Sequence, residues 1–160
     1  MSQTDSRPMA ARKNGAADRF DVVIVGAGFA GMYMLHKTRR LGLSAVVLDR
    51  AGGVGGTWYW NRYPGARCDV DSIQYSYSFD DNLQQEWEWT EFYATQPEIL
   101  RYAEHVADRY DLRRDMRFNT EVVSASFVEG ANGKRTGHWQ VVTKGEHAGR
   151  IEATFCVMGT

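Results

Sequence analysis

Four residues have the types and spacing to do chemistry together. Three are the glycines of the run Gly26-Ala27-Gly28-Phe29-Ala30-Gly31, and the fourth is Asp49. The chemistry is the holding of a dinucleotide by its pyrophosphate and ribose. Gly26 permits a tight turn. Gly28 has no Cβ, so a pyrophosphate can approach the backbone. Gly31 lets a helix pack close against a strand. The amides around Phe29, Ala30 and Gly31 open that helix, and its dipole favours negative charge there. Asp49 lies near the spacing of about 20 residues expected for a ribose-binding acid. A carboxylate accepts hydrogen bonds from both ribose hydroxyls and repels a 2′-phosphate. The site should therefore take FAD or NAD, and not NADP.

The elements needed to position these residues can be read on either side of them. Asp21-Val22-Val23-Ile24-Val25 is a continuous β-branched block, the pattern of a strand buried on both faces. A helix runs from the glycine turn to about Leu41, with Gly42 as its C′ stop. Ser44-Ala45-Val46-Val47-Leu48 is a second buried strand ending at Asp49, which completes a βαβ unit. The stretch 50–82 is rich in Gly, Trp, Tyr and Arg and has little periodicity. Loops of that length are usually functional or disordered, and the aromatic content speaks against disorder. Thr95-Gln96-Pro97-Glu98 fits a capping box, with Thr95 as N-cap and Glu98 at N3. The helix it opens buries Ile99, Ala103, Val106 and Tyr110. Strand-like segments follow at about 121–128, 138–143 and 151–158, with turns at Asn132-Gly133 and Gly149. The expected fold class is α/β: a Rossmann-like domain over residues 20–160, with a parallel sheet and an added antiparallel β-meander. Residues 1–19 are expected to be a disordered arm.

The segment Gly55-Gly56-Thr57-Trp58-Tyr59-Trp60-Asn61-Arg62-Tyr63-Pro64-Gly65-Ala66-Arg67-Cys68-Asp69 carries more information. Its glycine pair lets backbone amides approach a phosphate, Thr57 adds a hydroxyl donor, and the aromatic rings can wall off a flat ligand. The segment resembles the corresponding stretch of type I Baeyer–Villiger flavin monooxygenases. The likeness continues through Asp71-Ser72-Ile73-Gln74-Tyr75-Ser76-Tyr77-Ser78-Phe79, Glu86-Trp87-Glu88-Trp89-Thr90 and Tyr93-Ala94-Thr95-Gln96-Pro97-Glu98-Ile99-Leu100.

The resemblance implies the FAD-binding portion of an NADPH- and O2-dependent enzyme that turns small-molecule ketones into esters or lactones. It places Arg50, Gly56, Thr57, Trp58, Cys68, Tyr75 and Val122 at FAD, with Val122 contributing backbone. It sets Asp69 beside the flavin ring as the catalytic residue, and Arg67 near NADP. Trp87 and Trp89, remote from the glycines, are expected to be core. The resemblance also implies a second GxGxxG domain for NADPH, a linker signature and an active-site arginine, none of which this sequence contains. The FAD-binding domain is thus expected to be incomplete, and the isolated chain inactive. Two alternatives stay open: another flavin monooxygenase of the N-hydroxylating or flavin-containing type, or a non-catalytic nucleotide-binding fragment.

Composition narrows the field further. The formal net charge is −1, and no basic stripe suggests a nucleic-acid or anionic-membrane partner. No apolar run approaches the roughly 20 residues of a transmembrane helix. Cys68 and Cys156 form no CxxC pair and no metal spacing with His36, His105, His138 and His147. Two free thiols and a cytoplasmic location are expected, with no metal.

Overall fold

A computed structural model describes residues 17–130 and 137–160. Most of the expected N-terminal arm and the Asn132-Gly133 turn lie outside the described residues.

Strand β1 (Asp18–Val25) is central because nothing in its middle tolerates water: Val22, Val23 and Ile24 are all buried. Its pleat sends alternate side chains to opposite faces. Val22 and Ile24 meet Met32, Leu35, Val47, Ala103 and Ala107 on one face. Val23 joins Val46, Leu48, Val141, Ile151 and Ala153 on the other. The strand begins two residues before the expected Phe20. Asp18 and Arg19 pair in the ladder with Ile151 and Glu152. Ion pairs from Arg117 to Asp18 and from Arg19 to Glu152, each 2.8 Å, accompany them.

Helix α1 (Phe29–Arg40) follows the glycine turn. It stops as expected, with Leu41 as C-cap and Gly42 at φ 72°. Strand β2 (Ala45–Leu48) lies parallel to β1, in register from Val22–Ala45 to Val25–Leu48. The loop beyond contains a short helix α2 (Thr57–Trp60), a 3₁₀ turn at Ser72–Tyr75 and helix α3 (Asp81–Glu86).

Helix α4 (Gln96–Arg109) buries Ile99, Tyr102, Ala103, Val106 and Ala107, while Tyr110 is its half-buried C-cap. The expected capping box does not form. Thr95 is the N-cap residue, but its side chain makes no cap bond. The Glu98 carboxylate turns away and accepts from the Thr90 amide at 2.8 Å and the Thr90 hydroxyl at 3.0 Å. Glu98 is 2% exposed, and a buried carboxylate takes the strongest local donors available. These sit on the 87–94 loop, which the bond ties to α4. Trp87 and Trp89 pack on Tyr102, each at 5.2 Å between ring centroids, as core residues would.

Strand β3 (Met116–Arg117) is too short for a sequence period to show, and it extends the parallel sheet beyond β2. Strands β4 (Thr120–Val128), β5 (His138–Gly145) and β6 (Gly149–Met158) form the antiparallel meander. The first half of β6 pairs with β5, and from Ile151 onward it runs parallel to β1. The order is β3-β2-β1-β6-β5-β4. This is the expected parallel sheet with a meander attached, and β6 is the joint.

Candidate dinucleotide-binding cleft

The carboxyl ends of β1, β2 and β6 converge at one point, where an open α/β sheet places its ligand. Backbone bonds knit the point together. The Gly26 amide donates to Leu48 O at 2.8 Å, Gly55 to Ala27 O at 3.1 Å, and Gly159 to Val25 O at 2.8 Å. Gly26 sits at φ 102°, and a Cβ there would lie 2.8 Å from the Gly159 carbonyl oxygen. Helix α1 begins at Gly28, and the first helical amide to bond back is Met32, to Gly28 O at 2.9 Å. Its first turn holds no acidic residue. The early amides of a helix have no partner within the helix itself, which suits an anion.

Above this point lies a cleft of about 910 Å³. Gly26, Gly28, Phe29, Asp49, Arg50, Gly56, Thr57, Trp58, Tyr75 and Val122 all line it. Ala30 and Gly31 stand behind, in the first turn of α1. Gly28 and Gly56 face each other across the floor. A Cβ on Gly28 would point at the Gly56 Cα from 3.5 Å, and one on Gly56 would come within 3.0 Å of the Gly28 Cα. Two stretches of bare backbone thus meet where a pyrophosphate would lie. That cradle fits a dinucleotide, and any side chain there would fill it.

Asp49 has a structural task that the motif did not suggest. Its Oδ2 accepts from the Ala27 amide at 2.6 Å and its Oδ1 from the Ala51 amide at 2.7 Å. The carboxylate therefore braces the glycine turn against the next loop. Each oxygen keeps a further lone pair for a ribose hydroxyl.

The aromatic loop divides. Trp58 is buried, and its carbonyl accepts from the Gln96 side chain, which anchors α2 to α4. Trp60 lines the outer cleft with the Arg50 guanidinium 5.3 Å from its ring centroid. Tyr59 and Tyr63 do not line the cleft; Tyr59 packs beside Gly53, and Tyr63 is exposed. Sequence reasoning missed Tyr77 as a lining residue. The alternation Tyr75-Ser76-Tyr77 was its only signal. It also missed the β-bulge between Val122 and Ser124, which bends β4 at the cleft rim.

Arg67, Cys68 and Asp69 stand outside the lining. Ala66 and Cys68 point inward, while Arg67 and Asp69 are exposed. The two charges do not pair with each other: Arg67 bonds to Glu91 at 3.1 Å and to the Tyr93 carbonyl at 3.4 Å. Asp69 is close enough to the cleft to be felt there. Burial pushes the Tyr75 phenol up, and the neighbouring Cys68 and Asp69 add to the shift. Cys68 and Cys156 are both free thiols. Among the described residues no helix is long and apolar enough to cross a membrane.

Comparison with known proteins gives the fold and the family. The family model of an NAD(P)-binding Rossmann-like domain matches residues 24–88. A Baeyer–Villiger monooxygenase of Pseudooceanicola batsensis is 46% identical, over 88% of this chain and 25% of that protein. A phenazine N-monooxygenase of Lysobacter antibioticus is 51% identical, over 69% of this chain and 20% of that protein. The NADP+-bound crystal structure of cyclohexanone monooxygenase from Rhodococcus sp. Phi1 superposes with a TM-score of 0.82 at 46% identity, covering 89% of this chain and 26% of that one. The chain thus spans about a quarter of the length of such relatives. The match to such relatives extends over nearly nine-tenths of this chain, and the chain belongs to the Baeyer–Villiger flavin monooxygenase family.

Proposed function

We propose that this chain is the FAD-binding part of an NADPH- and O2-dependent monooxygenase that converts small ketones to esters or lactones in the cytoplasm. The carrying observation is the bare Gly28–Gly56 floor with Asp49 at its edge. Bound FAD supplies the redox chemistry, and the chain holds and shields it. The amides at Phe29, Ala30 and Gly31 receive the pyrophosphate. Asp49 and Arg50 hold the adenosine end, and Val122 flanks it with backbone. Thr57, Trp58 and Tyr75 wall the other end against water. NADPH takes a separate site, since Asp49 would repel its 2′-phosphate. The partial coverage of the relatives leaves length for that site.

Calorimetry on the purified chain tests the assignment. FAD should bind more tightly than NADP by on the order of 100-fold, a difference of about 2.7 kcal/mol. Tight NADP binding without flavin affinity would overturn it. A second reading, oxygenation of an aromatic nitrogen, is favoured by the N-monooxygenase relative. Turnover assays on a ketone and on a phenazine, run with this chain joined to an NADPH-binding part, separate the two.

Asp69 is proposed to act on the flavin ring rather than to hold the cofactor. Removing its charge should favour the more negative, reduced flavin. In FAD-loaded Asp69→Asn the midpoint potential should rise by on the order of 20 mV, the two-electron equivalent of about 1 kcal/mol, with FAD affinity nearly unchanged. Spectroelectrochemical titration measures the shift, and an unmoved potential would leave Asp69 a surface residue.

A further inference from the structure

Behind the cleft wall lies a cluster of aromatic rings that extends well beyond those the binding function uses. Trp58, Tyr75 and Tyr77 stand in the cleft wall. Trp58 and Tyr75 lie 5.6 Å apart between ring centroids. Phe29 touches both Tyr75, at 5.7 Å, and Tyr77, at 5.5 Å. Two routes lead away from Tyr77. One reaches Tyr33 at 6.2 Å, with the rings 17° from parallel, and Tyr33 is 37% exposed. The other reaches Tyr102 at 6.1 Å, and from there Trp87 and Trp89, each at 5.2 Å.

We propose that these tyrosines and tryptophans form a one-electron conduit that carries oxidising equivalents from a flavin in the cleft to the protein surface. The inference rests on the FAD reading. Rings at these separations are in van der Waals contact, the spacing at which electron exchange between them is best coupled. Packing alone does not require the hydroxyls, because phenylalanine fills the same space. Tyr77 and Tyr102 are deep enough that each hydroxyl needs a partner. Tyr77 donates to the Phe29 carbonyl at 2.6 Å, and the Tyr102 oxygen accepts from the Tyr77 amide at 2.8 Å. What tyrosine and tryptophan offer and phenylalanine lacks is accessible one-electron oxidation.

The electrons balance as follows. The oxidant is an oxidised flavin excited by blue light. It gains one electron, and Trp58 or Tyr75 loses one. Tyr77, linked to Tyr75 through the intervening Phe29 ring, refills that vacancy and is itself refilled by Tyr33 or Tyr102. The Tyr77 hydroxyl donates to the Phe29 carbonyl at 2.6 Å, an acceptor too weakly basic to keep the proton, so the proton stays in place and the vacancy moves on. At Tyr33, which is 37% exposed, the phenolic proton passes to water. A thiol in solution then returns an electron and a proton to Tyr33. The net result is a flavin reduced by one electron and a thiol oxidised by one.

The test irradiates the FAD-loaded chain without oxygen and with a spin trap, then maps adducts by mass spectrometry and radicals by electron paramagnetic resonance. Adducts are expected at Tyr33, Trp87 and Trp89. In Tyr77→Phe they should be lost from Tyr33 and persist at Trp58 and Tyr75, while Trp87 and Trp89 stay reachable through Phe29 and Tyr102, 6.1 Å apart. In Tyr102→Phe, which removes no cleft-lining side chain, they should be lost from Trp87 and Trp89 and persist at Tyr33. Persistence of the Tyr33 adduct in FAD-retaining Tyr77→Phe, or of the Trp87 and Trp89 adducts in FAD-retaining Tyr102→Phe, overturns the conduit. A chain that holds no FAD overturns the flavin reading instead, and the retained flavin absorbance tells the two failures apart.

Discussion

Gly31→Ala is expected to destabilise the protein by about 3 kcal/mol or more and to lower Tm by roughly 10 °C, with FAD binding lost alongside. Helix propensity alone points the other way, since alanine is better than glycine inside a helix by up to about 1 kcal/mol. Sterics decide the sign. A Cβ on Gly31 would stand 1.8 Å from the Gly26 carbonyl oxygen and 3.0 Å from its carbon. Those atoms are backbone, and they cannot swing aside. Gly26 is fixed by its bond to Leu48 O and by the Gly159 backbone packed against it. Relief requires α1 to lift from β1, which would open the contacts of Met32 and Leu35 in the core. Gly28→Val makes the contrast. Gly28 has φ −77° and ψ −171°, an extended conformation open to any residue, and its Cβ would meet Gly56 only at ordinary contact distance. That variant should keep most of its melting temperature and purify without flavin. Thermal melts and flavin absorbance on both proteins check the pair. A Gly31→Ala protein as stable as the parent would mean that helix and turn are not locked as described.

The same glycines show which parts of the architecture were legible in advance. The β1–α1–β2 unit could be read because its constraints are local. A β-branched run, a turn that admits only glycine, and a C′ glycine each act within a few residues. The meander was visible for the same reason. What escaped depends on distant partners. Glu98 looked like the second half of a capping box, and only the loop folding back from Thr90 reveals its actual bond. Tyr77 reads as one aromatic among many until α1 brings Phe29 and Tyr33 against it. Arg67 and Asp69 are close in sequence, yet the crossing of the 91–95 segment gives Arg67 a different partner. The backbone of the glycine cleft was thus readable from spacing, whereas the side chains behind it were set by tertiary contacts.

Asp49 combines both kinds of information, and its removal should be felt twice. Asp49→Ala is expected to cost about 2–3 kcal/mol of folding stability even without cofactor, because hydrogen bonds to a charged group contribute about 1.5–3 kcal/mol each and partial exposure lets water recover some of that. The groups stranded are the Ala27 and Ala51 amides, which face the carboxylate at 2.6 and 2.7 Å. With them the glycine turn loses its tether to the following loop, so the Gly28 and Gly56 backbones no longer hold their approach. FAD affinity should therefore fall by on the order of 100-fold or more, from lost ribose bonds and a loosened phosphate floor together. Asp49→Asn separates the two contributions. Its side chain has one acceptor oxygen, so one of the two amides must face an NH2 donor. If the brace matters, the asparagine variant loses stability in the cofactor-free protein as well as affinity. If Asp49 serves the ribose alone, the cofactor-free protein unfolds at the parent's denaturant midpoint and only the affinity falls. Denaturant unfolding of the cofactor-free proteins, set beside FAD calorimetry, distinguishes these outcomes, and the two short amide bonds favour the first.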